Sequence, residues 1–128
     1  FLKHNIHTNK APQAIGTYSQ AISTGNLTFI SGQIPLNPET MEMVEGDFKI
    51  RAHQVFKNIK AIAEAADGNL NNIVKLTIFL TDLENFAAVN EVMAEYFENP
   101  YPARAALGVS SLPKGADIEA EAILAHSS

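Results

Sequence analysis

The chain of 128 residues has no cysteine. That removes disulfides, thiol nucleophiles, iron–sulfur clusters and zinc–thiolate centres from its chemistry. It also fits a reducing compartment, since disulfides belong to oxidising ones. Arginine is scarce. Only Arg51 and Arg104 carry a guanidinium, and no basic run exists. A net charge of −5 and a pI near 5.2 argue mildly against a nucleic-acid partner, which usually needs a basic face. No stretch approaches the 18 apolar residues of a membrane span. The first residues carry no apolar signal-peptide segment, so the expectation is a cytoplasmic protein. No Gly-x-Gly-x-x-Gly, phosphate-binding loop or Gly-x-Ser-x-Gly occurs, which leaves nucleotide binding and serine-triad hydrolysis without sequence support. Of the four histidines, His4 and His7 have His-x-x-His spacing, His53 stands alone on the first helix and His126 is at the tail; no carboxylate–histidine cluster has ligand spacing, and no metal site is expected. His4 and His7 fall at a terminus expected to fray.

What remains is an ordinary globular composition, 46% hydrophobic and 18% charged, expected to fold as one domain over residues 1–128 with a real core. Residues 18–32 predict two strands turning at Thr24-Gly25-Asn26. From Lys49 to Ala66, Val55, Phe56, Ile59, Ile62, Ala63 and Ala66 recur at helical spacing, and Asp67-Gly68 stops the helix. Ile73–Leu80 (IVKLTIFL) predicts a buried strand. Thr81-Asp82-Leu83-Glu84 offers a capping box to a second helix striped by Phe86, Val89, Met93, Tyr96 and Phe97, which Asn99-Pro100-Tyr101-Pro102 ends. Strands over 104–110 and 117–125 follow, joined at Pro113-Lys114-Gly115, and a further strand is expected near Ile6. The order is met most simply by an α+β fold, a mixed sheet with both helices on one face. The other face is then uncovered, which points to an oligomer.

Four residues bear on chemistry beyond packing. Asn90 falls inside the apolar stripe of the second helix, where a buried amide needs a partner or costs about 1–3 kcal/mol; a local bond and a ligand contact both satisfy it. Arg104 enters an apolar strand, and its guanidinium requires an anion, either Glu119 or Glu121 across the sheet or the carboxylate of a substrate. Glu119 and Glu121 share one side of their strand with Ile123 and Ala125. That partial shielding raises a carboxyl pKa and suits acid/base work.

The segments YSQAI at 18–22, SGQIP at 31–35, TDLENFAAVN at 81–90 and PARAALGVSSLPKGADIEAEA at 102–122 resemble the RidA/YjgF family of imine/enamine deaminases. The resemblance spans nearly the whole chain. It implies a chorismate-mutase-like (YjgF-type) fold, a homotrimer with the sheets forming an inner barrel, and active sites in clefts between subunits. It also implies cofactor-free hydrolysis of 2-aminoacrylate or 2-iminobutyrate to 2-oxo acids and ammonia, intermediates that escape pyridoxal-phosphate enzymes such as threonine dehydratase. On this resemblance Arg104 clamps the substrate carboxylate, Glu119 activates water and returns a proton, and Tyr18 relays a proton or closes a wall. Ser31, Gly32, Asn90 and Phe86 bind the substrate, while Glu121 is structural. Ala106 stands where some members carry a cysteine, so a thiol is no part of the chemistry here. Ala120 and Met41 also depart from the common pattern. A regulator that binds 2-oxo acids without turnover, and a ribonuclease or translation inhibitor, are the alternatives from other classes.

Overall fold

The structure, a computed structural model, describes residues 2–126. Six strands form one sheet: β1 (His4–Ile6), β2 (Ala21–Thr24), β3 (Leu27–Gln33), β4 (Ile73–Leu80), β5 (Ala103–Gly108) and β6 (Ile118–Ala125). Their order is β1-β2-β3-β6-β4-β5. Every neighbouring pair is antiparallel except β4–β5, which is parallel. A parallel neighbour demands a crossover rather than a hairpin, and α2 (Phe86–Met93) supplies it. The longer α1 (Phe48–Ala65) connects β3 to β4.

The apolar stripe of α1 does what its spacing predicts: Ala52, Val55, Phe56, Ile59, Ile62 and Ala63 are all buried. Asp47 starts the helix by accepting a hydrogen bond from the Ile50 amide at 3.1 Å, a preferred N-cap interaction. These side chains meet Leu76, Ile78 and Leu80 of β4 and Ile118, Ala120, Ala122 and Leu124 of β6 in one core. The helices cover a single face, as the alternation in the sequence requires. No helix among the described residues is long and apolar enough to cross a membrane.

Three local expectations are corrected. The strand β4 is not buried throughout: Leu76, Ile78 and Leu80 are, whereas Val74 at a break in register is 47% exposed. Its apolar run contains residues of both faces, and only one face has helices upon it. The capping box at Thr81–Glu84 does not form. Asp82 instead accepts from the Glu84 amide and caps a short 3-10 turn, so α2 begins only at Phe86. His4 is not frayed either, since β1 pairs with β2 in the register His4↔Ser23 and Ile6↔Ala21.

The face away from the helices carries Ile22, Phe29 and Ile123 in one cross-strand row and Leu107, Phe79 and Glu119 in another. Phe29 and Leu107 are 43% and 45% exposed. Arg51 ties α1 to the start of β6 through a bidentate pair with Asp117, with N–O distances of 2.6 to 3.1 Å.

Candidate active site

Arg104 and Glu119 are not on neighbouring strands, and they do not share a face. Strand β4 lies between β5 and β6, with Leu76 in register with Arg104 and Phe79 with Glu119. Leu76 is a buried residue of the helix face, so Arg104 emerges there, while Glu119 lies with Phe79 on the other. Two strand spacings and three residues of offset separate their α-carbons by roughly 10 Å across the sheet and 10 Å along it. The intramolecular bridge between Arg104 and either glutamate is therefore ruled out by topology. The cause is the strand order, which the sequence does not display.

The Arg104 side is a surface cleft of about 380 Å³ bordered by Asn90, Met93, Tyr101 and Pro102. Arg104 is exposed rather than partly buried. Its guanidinium carbon sits 4.7 Å from the centre of the Phe86 ring, a cation–π arrangement. Its Nη1 donates to Asn90 Oδ1 and approaches Met93 Sδ at 3.5 Å. Asn90 is thus an exposed residue bonded to Arg104, not the buried amide its place in the stripe predicts. Helix α2 is only eight residues long, and Asn90 falls on its margin beside β5. Arg104 is fixed by neutral partners alone. Among the described residues it makes no ion pair, whereas Arg51 is paired with Asp117.

The Glu119 side is a larger cavity of about 660 Å³, which Tyr18, Ser31, Gly32, Lys114, Glu119 and Glu121 help to line. Its shape begins with a β-bulge. Ile30 pairs with Ala122 and Gln33 with Ala120, so Ser31 and Gly32 together oppose Glu121. Bulges of this kind re-aim side chains next to functional sites. The Glu119 carboxylate folds over Gly32: a β-carbon there would overlap Glu119 Oε2 and lie 2.9 Å from Glu119 Cδ. Gly32 is needed for space and not for an unusual backbone angle. Ser31 Oγ donates to the Ser19 carbonyl at 2.6 Å, which fixes the loop carrying the exposed Tyr18. Burial pushes the Glu119 carboxyl above the usual carboxylate range, and the charge of Glu121 adds to the rise.

Two buried amides missed in the sequence hold the cavity walls. Gln20, 2% exposed, accepts from the Thr8 amide and donates to the carbonyls of Thr8, Ala11 and Pro12. Asn58 donates to the carbonyls of Ile34 and Leu36. Each supplies polar partners to a loop that has no ladder of its own. Lys114 and Met41, at φ values of 56° and 61°, also line the cavity. Positive φ at a residue other than glycine is uncommon and gathers at functional sites. The Pro-Lys-Gly turn was the sequence signal for Lys114, and Met41 stands where the family resemblance makes a loop glycine common.

Comparison with known proteins places the chain in a family. The family model described as Endoribonuclease L-PSP matches residues 8–126. A RidA crystal structure from the Antarctic bacterium Psychrobacter sp. PAMC 21119 is 56% identical, covers 95% of this chain and 98% of its own, and superposes with a TM-score of 0.92. A Dermatophagoides farinae protein named 2-iminobutanoate/2-iminopropanoate deaminase is 46% identical over 95% of each chain. The crystal structure of E. coli TdcF with bound serine is 41% identical, covers 98% of this chain and all of its own, and has a TM-score of 0.92. The family model, the fold and the relatives agree, and the chain belongs to the RidA/YjgF family.

Proposed function

We propose that this protein hydrolyses reactive 2-enamino and 2-imino acids, such as 2-aminoacrylate and 2-iminobutyrate, to 2-oxo acids and ammonia. It would do so in clefts between the copies of a homotrimer. The observation that carries the proposal is the division of the charged residues between two faces of one sheet. Arg104 is an organised cation without an anion, and Glu119 is a carboxyl with a raised pKa in a separate cavity. Neither half performs hydrolysis alone, and a neighbouring copy packed on the uncovered sheet face can bring the second half to the first. Relatives support the choice of substrate: one is named for this deamination, and another holds serine, a small amino acid.

In the composite cleft Arg104 holds the substrate carboxylate, a charge-assisted interaction worth about 1.5–3 kcal/mol. The Glu119 carboxylate takes a proton from water as the water oxygen bonds to the iminium carbon, and the C=N π pair moves onto nitrogen. The protonated Glu119 then gives that proton to the amine. The C–N bond breaks with its electrons on nitrogen, and the hydroxyl proton returns to Glu119 as the C=O bond forms. Ammonia carries that last proton away as ammonium, leaving Glu119 ionised. Imines are already electrophilic, so positioning plus one acid/base group is sufficient. Tyr18, Ser31 and Gly32 would line the Glu119 half, while Asn90 and Phe86 would act by holding Arg104.

The test couples the protein to threonine dehydratase acting on threonine or serine and follows release of 2-oxo acid. Wild type accelerates release, while Arg104→Ala and Glu119→Gln do not. Mixing the two inactive variants under subunit exchange should restore about a quarter of wild-type activity, because each cleft draws its two groups from different copies. No restoration, from variants shown to exchange subunits, refutes the composite cleft. The description of the family model names an endoribonuclease. RNA cleavage that survives both substitutions would favour that activity instead.

A further inference from the structure

Glu121 lines the Glu119 cavity, yet the deaminase mechanism gives it no task. It stands two residues after Glu119 on β6, so both side chains leave the same face, with α-carbons about 7 Å apart. The Ser31-Gly32 bulge lies opposite Glu121 and provides the space into which Glu119 folds. Other titratable groups also face this region. Lys114 enters from the turn between β5 and β6, and Tyr18 comes from the loop before β2. On β4, Phe79 and Thr77 are in register with Glu119 and Glu121, and Lys75 follows on the same face. No cation among the described residues forms an ion pair with either glutamate. In the composite cleft the Arg104 charge of another copy is offset by the substrate carboxylate it binds.

We propose that Glu121 is a positioning residue for proton transfer, whose negative charge on the same cavity wall keeps the Glu119 carboxyl supplied with the proton that the departing amine takes. The catalytic part of this inference rests on the imine-hydrolase function, but the electrostatic part does not. Of the groups around the cavity, Glu121 raises the Glu119 pKa by its charge, after the larger effect of burial. A like charge on the same wall opposes ionisation of the Glu119 carboxyl. Glu119 is the more enclosed of the two side chains; Glu121 is exposed to solvent.

The experiment is a carboxyl-carbon NMR titration of the intact protein labelled on glutamate, with the Glu119 signal assigned by its loss in Glu119→Gln. The titration is repeated for Glu121→Asp, Glu121→Gln and Glu121→Lys, with thermal melts to establish folding. The Glu119 midpoint should fall by about half a pH unit in Glu121→Gln, further in Glu121→Lys, and little in Glu121→Asp. The acidic limb of kcat/KM should move with it. A midpoint that stays put in the folded Gln and Lys variants overturns the proposal, and so does a fall in Glu121→Asp equal to that in Glu121→Gln. If wild type hydrolyses no imine while the midpoints move as stated, the deaminase function fails and the electrostatic coupling stands.

Discussion

The Glu119 carboxylate occupies the space that any side chain at position 32 would fill. A β-carbon on Gly32 overlaps Glu119 Oε2, so the glycine and the acid are one structural unit. Gly32→Ala should therefore displace the carboxylate while leaving the strand ladder intact. The expected outcome is a loss of imine hydrolysis of about 10²-fold, with a far smaller effect on the melting temperature, since misplacement by an ångström costs that much. Steady-state assays and thermal melts on one preparation separate the two effects. Activity within twofold of wild type refutes the coupling.

Arg104 should not be replaceable by lysine. Asn90, Met93 and the Phe86 ring hold a planar fork, and an ammonium cannot grip a carboxylate in two places. Arg104→Lys should lower kcat/KM by about 10–100-fold, the equivalent of one charge-assisted bidentate contact. Asn90→Ala, which frees the fork but keeps its charge, should cost less. A lysine variant with wild-type kinetics would remove the bidentate clamp from the mechanism.

Glu119→Gln should lower activity by about 10²–10⁴-fold and at the same time stabilise the fold at neutral pH. The folded-state pKa of Glu119 is raised by burial, then by Glu121. Between its ordinary value and the raised one the native state holds the proton more tightly than the unfolded chain does. Stability therefore falls as pH rises through that window, and the deficit is complete above it. The variant should melt higher than wild type at neutral pH, and the difference should vanish below the ordinary carboxylate range. Melts across a pH series read the sign directly.

The Arg51–Asp117 pair anchors β6 two residues before Glu119, with both side chains about three-quarters buried. Arg51→Met should cost about 1–2 kcal/mol, between the values for exposed and fully buried pairs. The loss should appear in urea denaturation as a lower midpoint with an unchanged slope. An unchanged midpoint would show that the contact contributes nothing net.

Phe29, Ile123 and Leu107 stand with Ile22 and Phe79 on the uncovered sheet face. If copies pack there, Phe29→Asp should lower the mass measured by sedimentation to that of a single chain and abolish hydrolysis together. A variant that stays assembled and active excludes this face as the contact.

Most of the architecture was legible in the sequence because it depends on local periodicity. Three- and four-residue spacing from Val55 to Ala66 specified α1, and alternation at Ile118–Ala125 specified β6 with its two acids on one side. The oddity of Arg104 was legible too, since a guanidinium cannot shed its charge. The error concerned relations between distant segments. Nothing in a linear chain places β4 between β5 and β6, yet that insertion separates Arg104 from Glu119, and the register, Leu76 against Arg104 and Phe79 against Glu119, puts them on opposite faces. The same holds for Gly32, whose need for space appears only when β6 lies against it, and for Asn90, which lies at the edge of the α2 face that buries Val89, Val92 and Met93. The sequence by itself determined the elements, the single helix-covered face and the residue types able to handle a carboxylate and a proton, because these follow from each residue's nearest neighbours. The tertiary structure decided which of those residues meet, because strand order and register are set by packing of the whole core.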